Sequence, residues 1–89
     1  MSKQNYRNTA RWFHILSHPV RLRILHELLQ EEKCVCELQE ALRRPQPYIS
    51  QQLRVLRESE IVACHKRGLF VYYTLADPRV KQVLNMLWD

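Results

Sequence analysis

The chain has a single glycine, Gly68, in 89 residues. A glycine-rich loop that cradles a phosphate is therefore impossible, which removes the P-loop and dinucleotide-binding folds. It has only three cysteines, Cys34, Cys36 and Cys64. An odd, low count argues against a disulfide scaffold and for reduced thiols. No apolar run approaches the roughly 18–20 residues of a membrane helix. No apolar segment of the signal-peptide kind follows Met1-Ser2-Lys3-Gln4-Asn5, so a cytoplasmic protein with no membrane contact is expected. No linker, repeat or low-complexity tract divides the sequence, and residues 1–89 read as one domain. Nothing resembles a nucleophile elbow or a substrate pocket, so an enzyme is not expected.

What is present is a basic, core-forming composition. Hydrophobic residues make up 46% and charged residues 26% of the chain, enough for a packed core and too ordered a balance for bulk disorder. Fourteen Lys and Arg stand against nine Asp and Glu, a formal charge of +5, which fits a polyanionic partner. A domain of this size buries only roughly 60–65% of its unfolded surface and gains stability from a partner chain.

The periodicity predicts a mainly α fold with a small β-hairpin, in the order α-α-α-α-β-β-α. A first helix runs from Asn5 to Leu16, with Tyr6, Ala10, Phe13 and Leu16 near helical spacing and Trp12 to the side. Pro19 breaks it and starts a second, to about Gln30, whose stripe is Val20, Ile24, Leu25, Leu28 and Leu29. Cys34 to Leu42 is a short third helix, stopped by Arg43-Arg44-Pro45. A fourth starts near Gln46 or Pro47 and ends at Glu58, with Ile49, Leu53 and Leu56 inward. The period then changes. Ile61–Lys66 and Phe70–Leu75 read as strands around Arg67-Gly68, where glycine supplies a positive φ. Asp77-Pro78 reads as the N-cap and first residue of a last helix with Val80, Val83, Leu84 and Leu87 in its stripe.

Two short helices followed at once by a basic-tipped hairpin are the plan of a winged helix-turn-helix. The fourth helix is then the reader. Gln pairs with adenine in two places, and Arg with guanine or phosphate. Reader helices use mainly their N-terminal residues, which selects Pro47, Tyr48, Gln51 and Gln52 for bases, with Gln46 a further DNA-binding candidate beside them. Ser50 and Arg54 are candidates for phosphates, with Arg43 and Arg44 adding charge at the entrance. Lys66 and Arg67 at the wing tip suit a minor groove or a phosphate. A protein-interaction module on the same scaffold, without a specific DNA target, is the alternative reading.

The stretch from Ser17 to Asp77 resembles the ArsR/SmtB family of metal- and thiol-responsive repressors. The resemblance rests on Ser17-His18-Pro19-Val20-Arg21-Leu22-Arg23-Ile24-Leu25, on Cys34-Val35-Cys36-Glu37-Leu38, and on Gln46 through Leu56. The wing, Ile61-Val62 through Lys66-Arg67-Gly68 to Val71-Tyr72-Tyr73-Thr74-Leu75, matches as well. It implies a homodimeric repressor on a double-stranded DNA operator, with the fourth helix in the major groove. It also implies that the first and last helices form the dimer interface. Tyr6, Trp12, Phe13, Val83, Leu84, Leu87 and Trp88 are then interface candidates.

Cys34 and Cys36 open the third helix. Thiolates suit soft ions, and a helix N-terminus lowers a thiol pKa. By the resemblance, cysteines at this place bind the inducer, so arsenite, a soft metal ion or an oxidant is the expected signal. The arsenite-sensing pattern has a further cysteine where this chain has Gln39. The histidine ligands that zinc-sensing members carry on the last helix are also absent from Asp77 to Asp89. The pair reads equally as two small buried apolar side chains, the role also expected for Cys64. Of the histidines, His14 and His18 are four apart but separated by the break at Pro19.

Overall fold

Prolines and polar caps set most of the boundaries. In the computed structural model, which describes residues 3–88, the elements are α1 (Lys3–Leu16), α2 (Pro19–Gln30), β1 (Lys33–Cys34), α3 (Val35–Leu42), α4 (Gln46–Glu58), β2 (Val62–Arg67), β3 (Phe70–Leu75) and α5 (Pro78–Trp88). Pro19 stands at the start of α2 and Pro47 in the first turn of α4, where a missing N–H costs nothing. The expected order therefore holds, with one addition. The two-residue strand β1 was not expected. It pairs antiparallel with β3, Lys33 opposite Tyr73 and Cys34 opposite Tyr72, which gives the sheet order β1-β3-β2. Cys34 thus belongs to a strand and is the N-cap of α3 rather than its first residue.

Scarcity of glycine leaves two turns to other residues. Arg43 closes α3 in the left-handed region, at φ 55° and ψ 47°, with its N–H on the Gln39 carbonyl. Glu60, at φ 62°, turns the chain from α4 into β2. A side chain in that region costs on the order of 1 kcal/mol, a cost glycine lacks. Gly68 itself, at φ 65°, forms with Leu69 the two-residue turn of the hairpin, since Arg67 pairs with Phe70. The tip is therefore one residue further along than Arg67-Gly68.

The core lies where α2, α3 and α4 meet the root of the hairpin. Ile24, Leu25, Leu38, Ile49, Leu53, Leu56 and Ile61 are fully buried there, joined by Val80 and Leu84 from α5. Helix α4 buries its Ile49, Leu53 and Leu56 stripe and leaves its opposite side in solvent. Ala41 is exposed, and α3 is anchored by the buried Leu38 and Leu42, with Val35 packed beside the core.

Candidate nucleic-acid interface

The solvent side of α4 carries Gln46, Pro47, Gln51 and Arg54, all exposed, with Ser50 and Tyr48 half-buried beside them. Gln46 Nε2 donates to Ser50 Oγ at 2.7 Å, one helical turn on. The Arg44 guanidinium lies over the Tyr48 ring, 5.3 Å from its centre, so the entrance arginine is placed against the first turn of the helix. Arg43 is exposed on the same turn. Arg54 reaches Glu58 at 3.5 Å, an exposed pair that water screens.

Gln52 corrects the expectation. It is 7% exposed and is held from behind: Arg21 Nε donates to its Oε1 at 2.9 Å, while Arg21 Nη1 donates to the Ile15 carbonyl at 3.1 Å. A carboxamide committed to the α2 guanidinium is not free to meet a base edge. Its role is to fix α4 against α2 and the end of α1. The bond of Arg21 to a residue 31 positions away carries no local signal in the sequence.

At the wing, Lys66 is exposed but Arg67 is bound. Its Nη1 donates to Glu32 Oε1, and its guanidinium lies 4.3 Å from the centre of the Tyr72 ring. His65 Nε2 stands 3.0 Å from the other Glu32 oxygen and stacks on Tyr72. One carboxylate, just upstream of β1, thus holds two basic side chains of β2. Beyond them the turn presents Leu69, 93% exposed.

The sulfurs of Cys34 and Cys36 lie 2.7 Å apart. Glu37 completes the α3 cap by accepting from the Cys34 N–H at 3.0 Å, and these bonds lower its own pKa. The expected low thiol pKa at this helix start is not found for Cys34. Burial pushes it up, and the neighbouring Cys36 sulfur adds to the rise, outweighing the lowering by the Glu37 N–H. Cys36 is exposed. Cys64 is half-buried on β2, not fully interior, and Arg57 Nη1 of α4 approaches it at 3.2 Å.

The terminal helices leave an apolar face in solvent. Tyr6, Phe13 and Leu87 are more than half exposed, Trp88 nearly so, and Val83 is half-buried. Phe13, Leu16, Leu22, Val83, Leu84 and Leu87 line a groove of about 210 Å³ on that side. Two interface candidates sit differently. Leu84 is 2% exposed and belongs to the chain's own core. Trp12 is half-buried, its Nε1 donating to Asp77 Oδ2 at 2.9 Å. Trp88 meets His26 edge to face at 5.1 Å.

A short helix pair ending in an exposed polar helix, a basic turn and a hairpin wing define a winged helix-turn-helix regulator that binds DNA. The chain belongs to the arsR family of bacterial regulatory proteins, whose pattern residues 18–63 match. It is 36% identical over 89 residues to a transcriptional repressor SmtB homolog of Synechocystis, covering 100% of this chain and 67% of that one. It is 41% identical over 73 residues to the biofilm growth-associated repressor of Xylella fastidiosa, covering 82% and 64%. Among solved structures, HlyU from Vibrio cholerae superposes with a TM-score of 0.89 at 31% identity, covering 97% of this chain and 94% of that one. These relatives are regulators of transcription, not enzymes. Among the described residues, no helix is long and apolar enough to cross a membrane.

Proposed function

We propose that the chain is a homodimeric repressor that places α4 of each protomer in the major groove of an operator and releases it when a thiol-reactive inducer attacks Cys34 and Cys36. The observation that carries the reading is the division of α4. Its apolar stripe is buried, while Gln46, Pro47, Gln51 and Arg54 are exposed beside the exposed Arg43 and Arg44. Direct readout of bases needs that arrangement, with a rigid helix backed by core and polar ends facing out. The apolar face of α1 and α5 favours a second copy, and Mb0332 of Mycobacterium bovis, similar in fold with a TM-score of 0.86, is a homodimer. A two-fold dimer sets two reader helices about one DNA turn, roughly 34 Å, apart.

Two sulfurs at one point form a donor set suited to a thiophile that two protein thiols can hold, such as trivalent arsenic keeping one hydroxide as its third ligand, or to an oxidant. Among the described residues, no group of three His, Cys, Asp or Glu is gathered to hold a metal ion. The set therefore does not fit a tetrahedral structural zinc. Because Cys34 pairs with Tyr72 in the sheet, a change at the sulfurs bears directly on the strand that carries the wing.

The test is a titration of the protein against a duplex selected from a random-sequence pool and against its scrambled counterpart, with and without arsenite. Preference for the selected duplex, lost on adding arsenite and kept by the Cys34→Ser/Cys36→Ser variant, is the expected result. Equal binding to both duplexes overturns the reader assignment. Release that persists in the double variant overturns the thiol site.

A further inference from the structure

We propose that Leu69, at the tip of the wing, acts as an apolar wedge that enters the minor groove of the bound duplex and partly unstacks a base step, with Lys66 and Arg67 gripping the phosphates on either side. The inference rests on the proposed function and adds to it a residue that reads DNA deformability.

Three observations carry it. The first is exposure. Leu69 is 93% exposed and Phe70 53%, and Val71 continues the apolar run. A lone surface leucine needs no explanation, but an apolar run at the end of a basic hairpin is a feature to account for. The second is shape. With Arg67 opposite Phe70, the hairpin closes through two residues, and nothing lies within 4 Å of the space a side chain at Gly68 would enter. The hairpin therefore narrows to a two-residue turn with open space around it, so Leu69 is the part that meets a groove first. The third is charge. Lys66 and Arg67 are consecutive in a strand, so their side chains leave opposite faces of the hairpin. A cation on each face with an apolar residue between them matches a groove walled by two phosphate chains. Apolar side chains inserted there unstack a step and bend the duplex, a cost that depends on the sequence being opened.

The chemistry separates the roles of the three residues. Lys66 and Arg67 contribute a salt-dependent attraction, because each phosphate they neutralise releases a counterion. Leu69 contributes burial of apolar surface, which salt does not screen. The two contributions are therefore distinguishable in one titration series.

The experiment compares the wild-type protein with Leu69→Ala and Lys66→Ala on the selected duplex, over a range of salt concentrations. In parallel, 2-aminopurine is placed in turn at each step of the flanking minor groove. Leu69→Ala is expected to weaken binding about tenfold, the scale of a buried leucine side chain. Its salt slope should be unchanged, and the 2-aminopurine brightening seen with wild type should be lost. Lys66→Ala is expected to flatten the slope by about 0.9 and keep the brightening. Leu69 is free of packing, so an unchanged melting temperature confirms that the variant is folded. A selected duplex bound equally well by wild type and Leu69→Ala, with equal brightening, overturns the wedge and leaves the proposed function standing. A Leu69→Ala loss that coincides with lost self-association also overturns the wedge, since the tip then serves a second copy. Failure of wild type to prefer any duplex removes the proposed function and the wedge with it.

Discussion

Arg21 of α2 donates through Nε to the side-chain oxygen of Gln52 at 2.9 Å, which ties the reader helix to the helix behind it. The same guanidinium donates to the Ile15 carbonyl in the last turn of α1. One side chain therefore joins three helices, and two adjacent glutamines have opposite tasks. Gln51 faces solvent and Gln52 faces the protein.

Substitution separates them. Gln51→Ala should leave stability within about 0.5 kcal/mol, as exposed substitutions do, and cost about 1–3 kcal/mol of specific binding. Gln52→Ala should lower stability by about 1–3 kcal/mol, because Arg21 loses an acceptor at a half-buried position. Gln52→Glu, which still accepts from Arg21, should recover most of that loss. Chemical denaturation and operator titration of the three variants check the assignment. A stable Gln52→Ala protein with weakened base discrimination would reverse it.

Asp77 supports a prediction about acid. Its carboxylate accepts from Arg79 Nη2 at 2.7 Å, from Arg79 Nε and N–H at 3.0 Å, and from Trp12 Nε1 at 2.9 Å. The Arg79 bonds, helped by Trp12, hold its pKa down to about 2 from the ordinary 3.8, against the opposing effect of burial. A depressed carboxylate stabilises the fold above its ordinary pKa and loses that contribution as pH falls through the window from 3.8 toward 2. The contribution is on the order of 1–2 kcal/mol, reduced by the exposure of the Arg79 partner. Asp77→Asn should therefore be less stable than wild type at pH 7, and the difference should shrink steadily as the pH is lowered through that window. Urea unfolding at stepped pH measures it, and a gap that stays constant refutes the role of the charge.

Why some of this could be read in advance and some could not follows from where the signal lies. The α4 stripe of Ile49, Leu53 and Leu56 is a local pattern, so the helix, its buried side and its exposed side were all legible. Asp77-Pro78 likewise announced a helix start. Gln52 sits at the edge of the stripe, and whether an edge residue is covered depends on Arg21, far away in sequence. The strand β1 has two residues, too few for alternation to register. The turn moved from Arg67-Gly68 to Gly68-Leu69 because pairing of Arg67 with Phe70 sets the register. A positive φ was correctly assigned to Gly68, but Arg43 and Glu60 adopt one without any sequence mark. The Cys34 pKa went the other way because burial outweighs the helix N-terminus.

The apolar face of α1 and α5 predicts self-association that can be broken without unfolding the chain. Phe13 and Leu87 line the groove and are 54% and 69% exposed, so neither anchors the core. Phe13→Glu combined with Leu87→Glu should shift the sedimenting species from dimer to monomer while retaining helical circular dichroism. Each buried Glu would face an apolar partner copy at a cost of several kcal/mol. Leu84→Glu should instead unfold the chain, because Leu84 is interior. A double variant that remains dimeric places the interface elsewhere.

Glu32 gives a prediction about the wing. Its carboxylate holds Arg67 and His65, so Arg67 must leave it to meet a phosphate. Glu32→Gln removes the competing charge while keeping a hydrogen-bonding side chain of the same length. Arg67 would then have no carboxylate to leave before meeting DNA, only the Tyr72 ring. The expected result is tighter binding, most evident on nonspecific duplex at low salt. On nonspecific duplex, where the wild-type wing keeps its ion pair, the plot of log affinity against log salt should also steepen, by about 0.9 for one further phosphate neutralised. The Glu32→Gln/Arg67→Ala double variant should show neither change. Arg67→Ala in the wild-type background should cost less than Lys66→Ala, because only Lys66 is free in the unbound protein. Should Glu32→Gln bind DNA with the wild-type slope, Arg67 is not held back by this carboxylate, and the pair is a structural tie between the wing and β1.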